Sequence, residues 1–209
     1  MAVNRMQEEP GKSVGGREPG GNGSIGRFML FARNFILHPK MVGSMLPSSP
    51  FLVRQVLKQI DWEKARVIVE YGPGVGTFTR EVLARMHPQA TLIALELNSE
   101  FFGFLKSSLH DPRLRLIHES ATEVDAVLQK LGHPQADYVI SGIPFKTLPH
   151  ALRDTIVRKT YSVLRPSGSF LVYQMSGAVL PYLEKVFAKV SRDVELLNFI
   201  PARLFYCAR

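Results

Sequence analysis

Three glycines, Gly72, Gly74 and Gly76, stand at alternate positions in the stretch VIVEYGPGVGTFT (67–79), and a carboxylate, Glu70, precedes the first of them by two residues. A dinucleotide-binding loop is written G-x-G-x-x-G, with its third glycine three positions after the second. Here the third glycine comes one position early. A carboxylate at the end of the preceding strand repels a pyrophosphate and attracts an ammonium or sulfonium. The loop therefore offers chemistry suited to a cation. A second carboxylate, Glu96, lies 24 residues beyond Gly72 at the tip of the next apolar run, where it can take both hydroxyls of a ribose. Glu96 and Asn98 also suit the start of a helix, with Asn98 as its N-cap. Taken with Glu70 and the glycines, the pair favours a nucleoside that carries positive charge.

Such groups need strands that end together. From residue 66 onward, β-branched runs alternate with amphipathic stretches, the pattern of a doubly wound parallel sheet. The expected strands are 66–70, 91–96, 114–118, 137–141 and 169–174, with helices at 78–86, 100–109, 123–131 and 150–164. A helix near 179–190 and two strands, 194–200 and 204–208, complete a seven-stranded α/β core over 61–209. Residues 1–24 read as a flexible Gly-rich tail, and 25–60 as N-terminal helices.

Composition narrows the class further. The chain has 209 residues, of which 45% are hydrophobic and 21% charged, enough to bury a sizeable core. A lone cysteine, Cys207, excludes an intramolecular disulfide, suits a reducing compartment and leaves no basis for a metal cluster. No secretory signal is expected, and no uncharged apolar run approaches the roughly 20 residues that span a bilayer. The net charge of +8 is uneven. Residues 1–60 hold eight Lys and Arg against three Asp and Glu, 61–150 nine against eleven, and 151–209 nine against four. Basic ends suit a nucleic acid or an anionic membrane, although a solvated basic face is also common.

The set Glu70-x-Gly72-x-Gly74-x-Gly76, Glu96 and DYVISGIPF (137–145) resembles the successive motifs of class I S-adenosylmethionine-dependent methyltransferases. The resemblance implies a Rossmann-like seven-stranded sheet with helices on both faces. It also implies S-adenosyl-L-methionine as cofactor, with Glu70, Tyr71, Gly72, Gly74, Gly76 and Thr77 about its methionine part, Glu96 on the ribose, and Leu97 and Asn98 beside the adenine. At the third strand's end, Glu119-Ser120-Ala121 departs from the commoner Gly-Asp-Ala, leaving Ser120 and Ala121 at the adenine.

Ser141, Gly142, Ile143, Pro144 and Phe145 resemble the N-methyltransferase loop Asn-x-Pro-Tyr/Phe, with Ser141 or Gly142 at the Asn position. A nucleobase amine, whose lone pair is delocalised, benefits from hydrogen bonds that pyramidalise it. An aliphatic amine needs only deprotonation, desolvation and alignment. Together with PKMVGSMLPSS (39–49) and FIPARLFY (199–206), the loop resembles bacterial phospholipid N-methyltransferases, which take phosphatidylethanolamine towards phosphatidylcholine and are similar to ribosomal RNA adenine dimethylases. The resemblance implies direct SN2 transfer to a neutral amine, a phospholipid substrate, a lid containing Pro47, Ser48 and Ser49, and a cytoplasmic enzyme peripheral to the inner face of the membrane. Phe145 is expected either to flank the amine or to plug the loop; His118, His150 and Tyr173 are weighed as bases and none is assigned.

Helical spacing over 25–37 gathers Ile25, Phe28, Met29, Phe31, Ala32, Phe35 and Ile36 on one face with Arg27, Arg33 and Asn34 opposite, while Leu30 and Leu37 fall on the polar side. Residues 25–40 are therefore expected to meet an anionic membrane, or else to pack on the domain over the cofactor. Competing readings are an RNA adenine dimethylase, a methyltransferase of another lipid or small-molecule amine, and a membrane-binding cofactor sensor. Against RNA stands the missing Asn of the loop.

Overall fold

A computed structural model describes residues 48–209; the tail, the 25–37 helix and Pro47 lie outside the described residues. Helix α1 (Pro50–Leu57) opens on Ser49, whose Oγ accepts the Leu52 N–H at 3.1 Å, with Pro50 where no amide partner is needed. Strand β1 (Val67–Tyr71) then begins the alternating unit. It continues through α2 (Thr77–Arg85), β2 (Thr91–Leu95), α3 (Ser99–Ser108), β3 (Leu114–Ile117), α4 (Val124–Lys130), β4 (Ala136–Ser141), α5 (His150–Val163) and β5 (Leu164–Gln174). The chain closes with α6 (Leu180–Val186), β6 (Lys189–Glu195) and β7 (Ala202–Ala208).

The sheet order is β3-β2-β1-β4-β5-β7-β6, with β7 antiparallel to both of its neighbours and the other pairs parallel. Strand order reverses between β1 and β4, so the crevice at their carboxyl ends is where such a sheet binds ligands. Alternation along each strand divides the core in two. Ile68, Leu92, Ile140 and Leu171 pack under α1 and α2; Val69, Tyr71, Val139, Phe170 and Val172 pack under α4, α5 and α6. Each of these fully buried aliphatic side chains contributes about 1.5–3 kcal/mol of transfer free energy. Asp137 ties the opposite, amino end of the sheet: its Oδ2 accepts the N–H groups of Arg66 at 2.6 Å and Val67 at 2.7 Å. Cys207 is fully buried in β7, between Phe170 of β5 and Val190 of β6.

Two elements differ from the sequence reading. The strand expected at 194–200 runs instead from Lys189 to Glu195, and the preceding helix stops at Val186. The apolar run Leu196-Leu197-Asn198-Phe199-Ile200 is the exposed loop before β7, while the charged Lys189, Arg192, Asp193 and Glu195 form an edge strand. Charged edges prevent pairing with a second sheet, and that need overrides β-propensity here. Strand β5 also starts earlier than expected, at Leu164, and its register shifts between Ala136 and Tyr138 of β4 around Ser167, which sits at φ +70°.

Candidate active site

Glu70 and Tyr71 end β1 on opposite faces. The Tyr71 side chain turns into the core, where its hydroxyl lies 3.1 Å from Thr160 Oγ1 on α5, so its backbone alone borders the crevice. Glu70 points to the α2 side and is 1% exposed. Thr79 Oγ1, one turn into α2, donates to its Oε2 at 2.8 Å, while its Oε1 is buried with no partner among the described residues. Burial pushes the carboxyl up to about 8; the Thr79 bond opposes that shift and the nearby charge of Glu96 adds to it.

The glycine loop wraps over this carboxylate. Gly72 sits at φ +66°, and a Cβ there would come within 2.8 Å of Ile143 Cγ2, so the close packing of the two loops requires glycine. Above Gly74 no atom of the described residues lies within 4 Å of the equivalent position. Gly76 begins α2 in the left-handed region, followed by Thr77 as the first helical residue. Arg80 fixes the loop from behind, its Nη1 donating to the carbonyls of Val75 at 2.8 Å and Gly76 at 3.0 Å.

Glu96 follows β2 and accepts two backbone N–H groups, Gly74 on Oε2 at 2.9 Å and Asn98 on Oε1 at 2.8 Å. Its pKa is raised by burial, against the pull of the Asn98, Gly74 and Leu97 amides and of His118. Asn98 caps α3, its Oδ1 accepting from Glu100 and Phe101, so the capping role is the one its side chain plays. Leu97 is exposed beside it, with its carbonyl 3.1 Å from His118 Nε2 and the His118 ring stacked on Phe102. Ser120 caps the short 3-10 turn that begins at Ala121, accepting from the Thr122 N–H at 3.2 Å.

Gly142 leaves β4 beside the glycine loop, its N–H donating to the Tyr71 carbonyl at 3.2 Å. Ser141 is fully buried and its Oγ has no partner among the described residues. Ile143 covers Gly72, and Pro144 leads into a 3-10 turn, Phe145–Thr147. Phe145 is fully buried in the core under α5, so it plugs the loop and does not flank an amine in this conformation. His150 is bonded to Tyr182 through Nδ1, away from the carboxylates. Ser48 reaches the Tyr173 hydroxyl, and the Ser49 N–H donates to Asn198 Oδ1 at 2.9 Å, joining the start of α1 to the β6–β7 loop.

A family model described as ribosomal RNA adenine dimethylase matches residues 40–179. The chain belongs to that family. Within the ribosomal RNA adenine dimethylase family it is an S-adenosylmethionine-dependent N-methyltransferase with the Rossmann-like seven-stranded sheet. It is 32% identical over 182 residues to an ornithine lipid N-methyltransferase of Singulisphaera acidiphila, covering 86% of this chain and 95% of that one. It is 25% identical over 118 residues to ribosomal RNA small subunit methyltransferase A of Mycoplasma capricolum, covering 52% of this chain and 43% of that relative. Human methyltransferase-like protein 13, solved in complex with SAH, shares the fold at a TM-score of 0.58 and 18% identity, over 75% of this chain and 79% of that one.

The residues present fit a cofactor with a cationic amino-acid end. Among the described residues the buried Glu70 Oε1 has no partner, a second carboxylate stands at Glu96, and nothing covers the face above Gly74. Thr79 and Arg80 were not legible as site residues, and Tyr173 reads only as a base candidate inside a strand. Thr79 lies on the buried side of α2 among Phe78, Val82 and Leu83, and a polar residue in that apolar stripe was the available signal. Arg80 gave none.

Proposed function

We propose that this protein methylates the amine of a lipid headgroup, with phosphatidylethanolamine, taken towards phosphatidylcholine, as the acceptor that its motifs favour. The observation that carries the reading is the match along 95% of a relative named for N-methylation of an ornithine lipid. The described surface supports it. Seven large apolar side chains are exposed, and five of them, Phe51, Val194, Leu196, Leu197 and Phe199, gather about the β6–β7 loop. That loop leads into Arg203, which pairs with Gln174 at the carboxyl end of β5, so the apolar rim stands on the side of the sheet that holds the crevice. Arg54 and Arg203, both exposed, give it the charge that anionic lipid attracts. In this reading the rim meets the bilayer, residues 25–40 add a second basic and apolar anchor, and the enzyme works at the inner face of the membrane.

In the same reading Glu70 Oε1 takes the cofactor's ammonium, Glu96 its ribose and Leu97 its adenine, while Ser48 and Ser49, with Pro47, close over it. S-adenosyl-L-methionine supplies an electrophilic methyl group that a neutral aliphatic amine takes directly by in-line displacement. The protein's part is alignment and exclusion of water. Ile143 packed on Gly72 brings the 141–145 loop against the glycine loop, a closeness that supports methyl donor and acceptor lying side by side.

The deciding experiment offers labelled S-adenosylmethionine with vesicles of phosphatidylethanolamine, vesicles of ornithine lipid, and unmodified ribosomal RNA. Label in a lipid, lost in Glu70→Ala, supports the reading and names the headgroup. The family model favours RNA as a second acceptor, and label in the RNA alone would overturn the lipid assignment. Tight cofactor binding without turnover on any acceptor would favour a sensor.

A further inference from the structure

Gly142 has no backbone need to be glycine, because its φ is not in the left-handed region. Space demands it. A Cβ at this position would lie 2.3 Å from the Tyr173 hydroxyl oxygen and 2.6 Å from Cζ. The tyrosine therefore fills the volume into which a side chain at 142 would project. Strand pairing brings the two together, since Ser141 is in register with Val172 and the next residues are Gly142 and Tyr173. The ring is held by Phe78, stacked at 4.3 Å and 15°. Its hydroxyl has Ser48 within hydrogen-bonding reach, and burial, with the charges of Glu70 and Glu96, keeps the proton on the oxygen. A phenol has one donor and two lone pairs, so a protonated hydroxyl beside Ser48 still has a lone pair to accept with. This oxygen lies against Gly142 of the acceptor loop.

We propose that the Tyr173 oxygen accepts an N–H of the incoming neutral amine and so aims its lone pair at the methyl group, a role that rests on the lipid-amine reading above. The lone pair forms the new N–C bond, the methyl carbon's old bond breaks with its electrons left on the donor, and the ammonium product loses a proton to water. Orientation of this kind works only while the neutral amine carries a hydrogen. A primary amine has two, a monomethylated amine one, and a dimethylated amine none. Tyr173 thus assists the first two transfers and is silent in the third.

The test compares wild type and Tyr173→Phe on vesicles of phosphatidylethanolamine, its N-methyl form and its N,N-dimethyl form, with the cofactor dissociation constant measured by calorimetry. The expected result is a fall in kcat of at least tenfold on the first two acceptors and less than twofold on the third, with KM and cofactor affinity unchanged. Equal losses on all three would show a packing role and overturn the proposal, as would no loss on any. A wild type inactive on all three would sink the lipid-amine reading and this role together. The double variant Gly142→Asn/Tyr173→Leu returns a polar acceptor to the same volume. It should recover most of the first two steps, and failure to do so with cofactor binding intact would also overturn the role.

Discussion

Thr79 Oγ1 donates to Glu70 Oε2 at 2.8 Å and leaves the other oxygen of that carboxylate buried with no partner among the described residues. One side of the group is fixed in place and the other is left able to accept. Holding an unsatisfied acceptor in the core costs stability, and the pH dependence of folding exposes that cost.

Burial raises Glu70 from 4.5 to about 8, so between these values the folded chain keeps a proton that the unfolded chain has released. Stability from this group therefore falls as pH rises from about 4.5 to about 8 and is level beyond, a loss on the order of a few kcal/mol. Thermal melts from pH 5 to 9 without cofactor should show that decline in wild type and a flatter curve for Glu70→Gln, which should melt higher at pH 8. The same variant should bind cofactor at least 100-fold more weakly. Thr79→Val should weaken binding about tenfold, as loss of one hydrogen bond to a charged group does.

The two loop glycines should separate folding from binding. Gly72→Ala forces a left-handed alanine, about 1–2 kcal/mol, and adds a clash 2.8 Å from Ile143, so melting temperature and activity should fall together. Gly74→Ala meets no atom within 4 Å. It should fold with only the backbone strain, while its methyl group occupies the open face and cofactor affinity drops more than stability. Equal effects in the two variants would show that this face is not where the cofactor lies.

Leu197 and Phe199 are 64% and 79% exposed, so replacing both with Asp should change folding stability by less than about 1 kcal/mol. Binding to anionic vesicles, measured by sedimentation, should fall at least tenfold, and turnover of a short-chain soluble lipid should persist. Unchanged sedimentation would remove the β6–β7 loop from the membrane contact.

Asp137 bonds the amides of Arg66 and Val67 at the far end of the sheet from the crevice. Asp137→Ala should cost about 1–3 kcal/mol by denaturant unfolding, because two partly buried N–H groups and the Arg165 guanidinium lose a charged partner. At a temperature where the variant is folded, its cofactor affinity should match wild type.

Local features carried much of this architecture in the sequence. Glu70, the alternate glycines and Glu96 were legible because a short loop at a strand end places its residues with little help from the rest of the chain. Edge strand β6 was not, since its solubility requires charges that look like loop, while the exposed Leu196–Ile200 run looks like strand. Phe145 after Pro144 reads equally as a ring flanking the amine or as a plug, because the choice between them depends on the packing of α5. Tyr173 was legible as a candidate base but its place was not, for a similar reason: its partner, Gly142, is a neighbour only through the pairing of β4 with β5.

Cys207 lies fully buried in β7, and burial pushes its thiol up to about 12. As the chain's one cysteine, it cannot react with an added disulfide reagent while β6, β7 and β5 stay paired. Its modification rate is therefore a clock for the opening of this edge of the sheet, readable on the unaltered protein with no introduced label. A cofactor or vesicle that slows that clock binds a form in which the edge is closed.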